Sequence, residues 1–148
     1  MKMALLFRHD TGWNFRRVIA RVTGAPVHVA LLFGDDVVIE ADGAYVRQLT
    51  RADRVRVGQW STVRCDITDE QAEQAYRFAS SQFGKRYDWL GVLWAWWFGA
   101  PAGNGARDKW FCSELAAASL VAAGVAMGTT RAAYFTPRRL WEWCASWR

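Results

Sequence analysis

The sequence predicts a single α+β domain built around an antiparallel sheet. Strand-like segments are concentrated in the first half of the chain, helical segments dominate the second half, and no linker or repeat separates the two halves. Strands that are grouped apart from helices are typical of the α+β class. The 148 residues, 52% of them hydrophobic, suffice for one core, so we expect one domain over residues 1–148.

Short apolar and β-branched runs between turn residues predict five strands. Gly34, Asp35 and Asp36 separate the second run from the third, which predicts a hairpin at that point. The strands are predicted over 4–7, 27–33, 37–41, 44–49 and 61–67.

Helical spacing of apolar residues and capping residues predict five helices. Thr68, followed by Asp69 and Glu70, begins one of them, and Gly84 follows its end. Thr136-Pro137 begins the last, because proline is tolerated at a first helical position. Apart from this last helix, the predicted ranges are 13–22, 69–83, 89–98 and 112–123.

The formal net charge of +5 comes from 19 basic and 14 acidic residues that are dispersed along the chain. No compact basic run or nucleic-acid motif is present in the sequence, so a solvated basic surface is favoured and nucleic acid is not an expected partner. An Arg-rich nucleic-acid binder stays an alternative, and its affinity would fall steeply with salt.

Cysteine spacing and apolar runs predict the compartment. Cys65, Cys112 and Cys144, at wide and irregular spacings, form neither a CxxC metal site nor an even disulfide framework, so reduced thiols are expected. The apolar run 3–7 is too short for a signal-peptide core, and the run 89–102 falls short of the ~20 residues of a membrane-spanning helix. A cytoplasmic protein without a transmembrane helix is therefore expected.

Cys112 is the candidate nucleophile because it begins a predicted helix. Unpaired backbone N–H groups and the helix dipole favour an anion at that end, which lowers the pKa of a thiol. The sulfur also shares a face with the apolar stripe that must dock on the sheet. Most free cysteines are simply buried, and Cys65 and Cys144, which begin no predicted helix, are interpreted in that way.

His28 and Glu40 are the candidate base and orienting residue, because a thiolate needs a proton acceptor and a histidine in an apolar strand needs a polar partner. With a three-residue turn, Phe33 pairs with Val37, and Glu40 reaches the face of His28. With a two-residue turn the two side chains face opposite ways. We predict the first register and hence a Cys112, His28 and Glu40 triad, although each residue alone is equally well explained by a structural role.

Two segments resemble the nucleophile region of the NlpC/P60 superfamily: 84–91 (GKRYDWLG) and 110–115 (WFCSEL). In ordinary members of that superfamily the histidine follows the cysteine. Here His28 precedes Cys112, so the chain is similar to the circularly permuted branch, which includes the YiiX-like and lecithin:retinol acyltransferase-like proteins. The resemblance implies a papain-like α+β fold, with the nucleophile helix packed against a central antiparallel sheet.

The resemblance also implies a role for individual residues. Cys112 is the expected nucleophile, His28 the base and Glu40 the polar residue that orients the base. The Cys112 backbone N–H is an expected oxyanion donor. The further residues expected near the oxyanion or the substrate are Tyr87, Trp110 and Ser113.

We therefore expect a cysteine hydrolase of the peptidase or amidase type, acting on an amide or ester carbonyl of a peptide, amide or lipid-acyl substrate. No metal, organic cofactor or obligate protein partner is expected. A thiol acyltransferase or thioesterase acting on lipid is one alternative, and a non-catalytic binding or assembly module with the same fold is another.

The aromatic content of the chain, ten tryptophans, suggests either a large core or an apolar groove. Trp89, Trp94, Trp96 and Trp97 could line a groove for an acyl chain or contact a membrane surface. Core packing is the simpler interpretation for Trp94 and Trp97, whereas Trp96 is expected to be exposed.

Overall fold

The computed structural model describes residues 1–10, 24–89, 108–129 and 132–147. In these ranges the protein is α+β, with one seven-stranded sheet and four α-helices. The predicted helix 13–22, all of the predicted helix 89–98 after its first residue, and Trp94, Trp96 and Trp97 lie outside the described residues.

The sheet contains five long strands and a short edge pair. Its order is β5-β1-β2-β3-β4-β6-β7. All neighbours are antiparallel except β6 and β7, which are parallel. The sheet is therefore mixed, whereas the sequence predicted a wholly antiparallel one. The strands are β1 (Met3–Arg8), β2 (His28–Phe33), β3 (Val37–Asp42), β4 (Tyr45–Thr50), β5 (Trp60–Arg64), β6 (Arg86–Tyr87) and β7 (Lys109–Trp110).

The β2–β3 hairpin has the predicted register. Phe33 pairs with Val37 across a three-residue turn, and Gly34 takes a left-handed φ of 59° in that turn, a conformation open to glycine at little cost. Side chains alternate along a strand, so His28 and Glu40 point to the same side of the sheet. The predicted juxtaposition of the two side chains is confirmed.

Four α-helices and two 3₁₀ helices surround the sheet in the described part of the chain. Thr68 caps the second α-helix through a reciprocal bond pair with Gln71, and this helix ends at Ser80, a few residues before the predicted end. The first α-helix was not predicted. The helices are α1 (Arg51–Val55), α2 (Asp69–Ser80), α3 (Cys112–Ala122) and α4 (Pro137–Trp143), and the 3₁₀ segments are Ala132–Tyr134 and Cys144–Trp147.

Helix α3 lies at the centre of the main core. It packs against β2, β3, α2 and the 3₁₀ segment Ala132–Tyr134, and its first six residues are all buried. Leu115 and Leu120 pack with Leu31 and Ile39 of the sheet. The side chains of Ala116 and Ala117 are also buried there, and their small size lets the helix approach the strands closely.

The opposite face of the sheet carries a smaller apolar cluster. Leu6, Leu32 and Val38 form its centre, and Val55 of α1 and Trp60 of β5 cover it. This is the face of His28 and Glu40. Across the described ranges, the chain has no helix both long and apolar enough to cross a bilayer.

Candidate active site

The Cys112 thiol lies at the first residue of α3, directly after the extended N-cap residue Phe111. It is only 5% exposed. Burial by itself raises the pKa of a thiol. The His28 imidazolium, its hydrogen bond to the sulfur and the Val29 backbone N–H outweigh burial and hold the pKa of Cys112 below its ordinary value. The helix N-terminus acts in the same direction, so the site favours a thiolate.

His28 is the first residue of β2, where the strand end brings its ring to the start of α3. Its Nε2 lies 2.9 Å from Glu40 Oε2, so Nε2–H donates to the carboxylate, which leaves Nδ1 as the ring nitrogen for the interaction with the Cys112 thiol. Burial lowers the pKa of a histidine, but the charges and hydrogen bonds of Cys112 and Glu40 raise the pKa of His28 to about 9. The two shifts act together and favour a thiolate–imidazolium pair.

Glu40 is a buried carboxylate, 1% exposed, that is held by three basic side chains. Besides His28, Arg47 donates through Nη2 to Oε1 at 3.0 Å, and Arg54 Nε pairs with Oε2 at 2.5 Å. Burial would raise the pKa of Glu40, yet the contacts with His28, Arg54 and Arg47 lower it to about 2. Glu40 is thus a fixed anion at neutral pH.

Trp60 closes this cluster from β5. The Arg54 guanidinium stacks 4.5 Å from the Trp60 ring centre, and the Trp60 ring stands edge-on to His28, with 6.1 Å between ring centres. Stacking of this kind shields the ion pairs from water, which strengthens them.

Arg47, Arg54 and Trp60 were not identified from the sequence. Arg47 had a usable signal, since it stands opposite Glu40 in the β3–β4 register and opposite charges favour such cross-strand pairs. Arg54 had none, because α1 is five residues long and too short to show a helical period.

The three residues expected near the oxyanion or substrate lie around the start of α3. Tyr87 pairs with Trp110 across β6 and β7, the strand pair that leads into the helix. The Trp110 indole N–H donates to Gln82 Oε1 at 3.1 Å. Ser113 is fully buried, and its hydroxyl has no hydrogen-bond partner among the described residues. Tyr87 and Trp110 are half-buried, whereas the Ser113 side chain lies in the interior.

A further buried acid lies two residues after Cys112, in the same first turn of α3. Glu114, 7% exposed, sits in the first turn of α3. Burial raises the pKa of Glu114 to about 7, against the bond from the Phe111 backbone N–H and together with the nearby charge of Asp88. An interaction between Glu114 and Asp88 was not predicted from the sequence.

Cys65 and Cys144 stay outside the candidate site. Both contribute to the main core, and Cys65 is only half-buried. Burial, with a contribution from the neighbouring Cys144, raises the pKa of the Cys65 thiol far above its ordinary value. His9 packs its ring edge-on against Trp141, 5.0 Å away.

The chain matches no protein-family model and no curated protein sequence. Within the described residues, no group of three or more His, Cys, Asp and Glu side chains is arranged to hold a metal ion.

Proposed function

We propose that this protein is a cysteine hydrolase of the peptidase or amidase type that attacks an amide or ester carbonyl. The observation that supports it is the continuous buried chain from the Cys112 thiol through His28 to Glu40. Nucleophile, base and orienting carboxylate in contact are the arrangement that thiol acyl chemistry requires. A purely structural cysteine has no need of an imidazolium partner.

In the proposed reaction the Cys112 thiolate adds to the carbonyl carbon, and the negative charge moves to the carbonyl oxygen. In this proposal the backbone N–H of Cys112, which has no intrahelical partner at the helix start, donates to that oxygen. When the C–N or C–O bond breaks, His28 Nδ1 gives its proton to the leaving amine or alcohol. The acyl group is then bound to sulfur as a thioester.

Water completes the proposed cycle. Neutral His28 takes a proton from water as the hydroxide adds to the thioester carbon, and the carbon–sulfur bond breaks to release the acid. The thiolate and the imidazolium are restored together. Glu40, as a fixed anion, keeps Nε2 protonated, and so keeps Nδ1 directed at the reacting atoms throughout.

The proposed architecture is papain-like and of the permuted NlpC/P60 kind. It is supported by a histidine at the start of a strand, a cysteine at the start of a buried helix, and the order of the two in the chain. The segment of β6 and β7 that resembles the superfamily lies next to that helix, with Tyr87 and Trp110 side by side.

A lipid-acyl substrate is the second candidate, and the exposure of Trp89 favours it. This side chain is 44% exposed, although its indole N–H is fixed by the Gly43 carbonyl at 2.9 Å. Its ring lies 4.8 Å from that of Tyr87. A fixed, exposed indole beside the site offers an apolar surface to an acyl chain.

The proposal is tested by the pH dependence of Cys112 alkylation with iodoacetamide, located by peptide mass. Fast reaction is expected well below the ordinary pKa of a thiol, and His28→Ala should slow it by about 10²-fold at pH 6, because the buried thiol loses its imidazolium. His9→Gln is the matched control and should change nothing. If Cys112 reacts no faster than Cys65, the protein is a binding or assembly module rather than an enzyme.

The bond that is cleaved is then found with two substrate series, aryl esters of increasing acyl length and peptide anilides. A preference for long acyl esters supports the lipid candidate, whereas cleavage of anilides supports the peptidase type. Added hydroxylamine separates hydrolysis from acyl transfer, because an acyltransferase should yield mostly hydroxamate. Vesicle binding at low salt tests the proposed membrane contact in the same preparations.

A further inference from the structure

The Glu40 carboxylate binds two cations through one oxygen, the His28 imidazolium and the Arg54 guanidinium. Its Oε2 meets both His28 Nε2, at 2.9 Å, and Arg54 Nε, at 2.5 Å. Arg54 is nearly as buried as its partner: the side chains are 10% and 0% exposed. A second cation on the same oxygen competes with the imidazolium for the negative charge.

We propose that Arg54 is a positioning residue that acts on His28 through Glu40: it fixes the carboxylate oxygen that both share and limits how strongly His28 holds its proton. The inference takes its catalytic meaning from the proposed cysteine chemistry, but its physical content does not depend on activity. Glu40 without Arg54 would leave its whole charge to the imidazolium, and His28 would give up a proton less readily.

The geometry of Arg54 fits this role better than a general stabilising role. Its guanidinium is stacked on Trp60, which stands against His28, so one aromatic ring contacts both members of the pair. Arg54 Nη2 also lies 3.6 Å from Asp42 Oδ2, which keeps the plane of the guanidinium fixed.

Other charged groups near His28 have different partners. Arg8 stands opposite His28 in the β1–β2 register, but its guanidinium is bound through two nitrogens to Asp10. Arg47 binds Oε1, the oxygen that His28 does not use, and its side chain is 39% exposed. The charged and titratable groups that face His28 are therefore Arg8 from β1, Glu40 and Asp42 from β3, Arg47 from β4, Arg54 from α1 and Cys112 from α3.

The test is the titration of His28 by NMR in a Cys112→Ala background, which removes the thiolate and leaves Glu40 and Arg54. The chain has only two histidines, so His9→Gln identifies the signal of His28. We expect Arg54→Gln to raise the pKa of His28 by about one unit, a roughly tenfold gain in proton affinity. Arg54→Lys keeps the charge but loses the planar contacts with Trp60 and the carboxylates, so it should raise the pKa of His28 by less than Arg54→Gln does.

Controls separate this effect from general disturbance. Arg56→Met, which removes an exposed charge just beyond α1, should leave the pKa of His28 unchanged. Arg47→Gln should raise it by less than Arg54→Gln. If Arg54→Gln does not fold, Arg54→Met removes the same charge and can pack on Trp60. If neither neutral variant folds, Arg54→Lys decides: a small rise of the pKa of His28 supports the proposal, and an unchanged or lowered pKa overturns it.

An unchanged or lowered pKa of His28 in a folded neutral variant overturns the inference. In the protein with Cys112 present, the alkaline limit of turnover should move upward with the pKa of His28. If turnover is absent while the titration shifts as expected, the proposed function fails and the role of Arg54 in setting the proton affinity of His28 stands.

Discussion

Cys65 and Cys112 are two of the three thiols in the main core, and their pKa values are shifted in opposite directions. Cys65 follows strand β5 with its sulfur partly buried, and the pKa of its thiol rises because burial and the charge of the neighbouring Cys144 thiol act in the same direction. Cys112 is more deeply buried, yet the pKa of its thiol falls. Burial therefore does not decide thiol chemistry here. A helix start, a backbone N–H and an imidazolium reverse its effect.

The largest expected effect comes from removing each sulfur in turn. Cys112→Ala should lower turnover of the best substrate by at least about 10³-fold, because the attacking atom is gone. Cys65→Ala, the matched control, should leave turnover within about twofold. Initial rates measured alongside circular dichroism spectra check this. Equal loss in both variants would mean that the two thiols are not functionally distinct.

A smaller effect is expected when the carboxylate that supports His28 is neutralised. Glu40→Gln keeps the shape of the side chain but leaves two guanidinium groups and an imidazolium without their anion. Breaking a buried ion pair costs about 3 kcal/mol of unfolding free energy. Denaturant titrations at pH 7 measure the loss, and the pKa of His28 should fall from its raised value in the same variant.

The pH dependence of that loss has a definite sign. The pKa of Glu40 is about 2 in the folded protein against an ordinary 4.5. The stability that Glu40 contributes is therefore present above pH 4.5 and lost as the pH falls toward 2. The difference between the parent and Glu40→Gln should shrink over that range, and a constant difference would contradict the assignment.

The smallest expected effect concerns Glu114, whose pKa is shifted in the opposite direction. The folded protein favours its protonated form, with a pKa of about 7 against an ordinary 4.5. That preference stabilises the fold below pH 4.5 and is lost as the pH rises through 7. Glu114→Gln should therefore be more stable than the parent at pH 8, by on the order of 2 kcal/mol, and equal to it near pH 4. Thermal unfolding at both pH values measures this, with Glu142→Gln, an exposed glutamate, as control.

The sequence predicted the parts of the site that depend on local chain geometry. Both depend on neighbouring residues: α3 starts at Cys112, directly after the extended residue Phe111, and a three-residue turn sets the Phe33–Val37 register. The face shared by His28 and Glu40 follows from the register alone, since side chains alternate.

The arginine contacts could not be predicted in the same way. Arg54 lies in a helix of little more than one turn. The sequence does not indicate the direction of such a long, flexible side chain. The short parallel pair β6–β7 was missed for a related reason: two residues show no alternation, and parallel strands are joined by a distant crossover rather than a turn.

The position of the base and its carboxylate in one hairpin has a consequence for how the site forms. His28 and Glu40 are 12 positions apart, so their contact has low contact order and can form early during folding. The thiol arrives from a remote part of the chain, when α3 docks on β2 and β3. Amide hydrogen exchange in α3 should therefore report how often the thiol separates from its base in the native protein, while the hairpin stays intact.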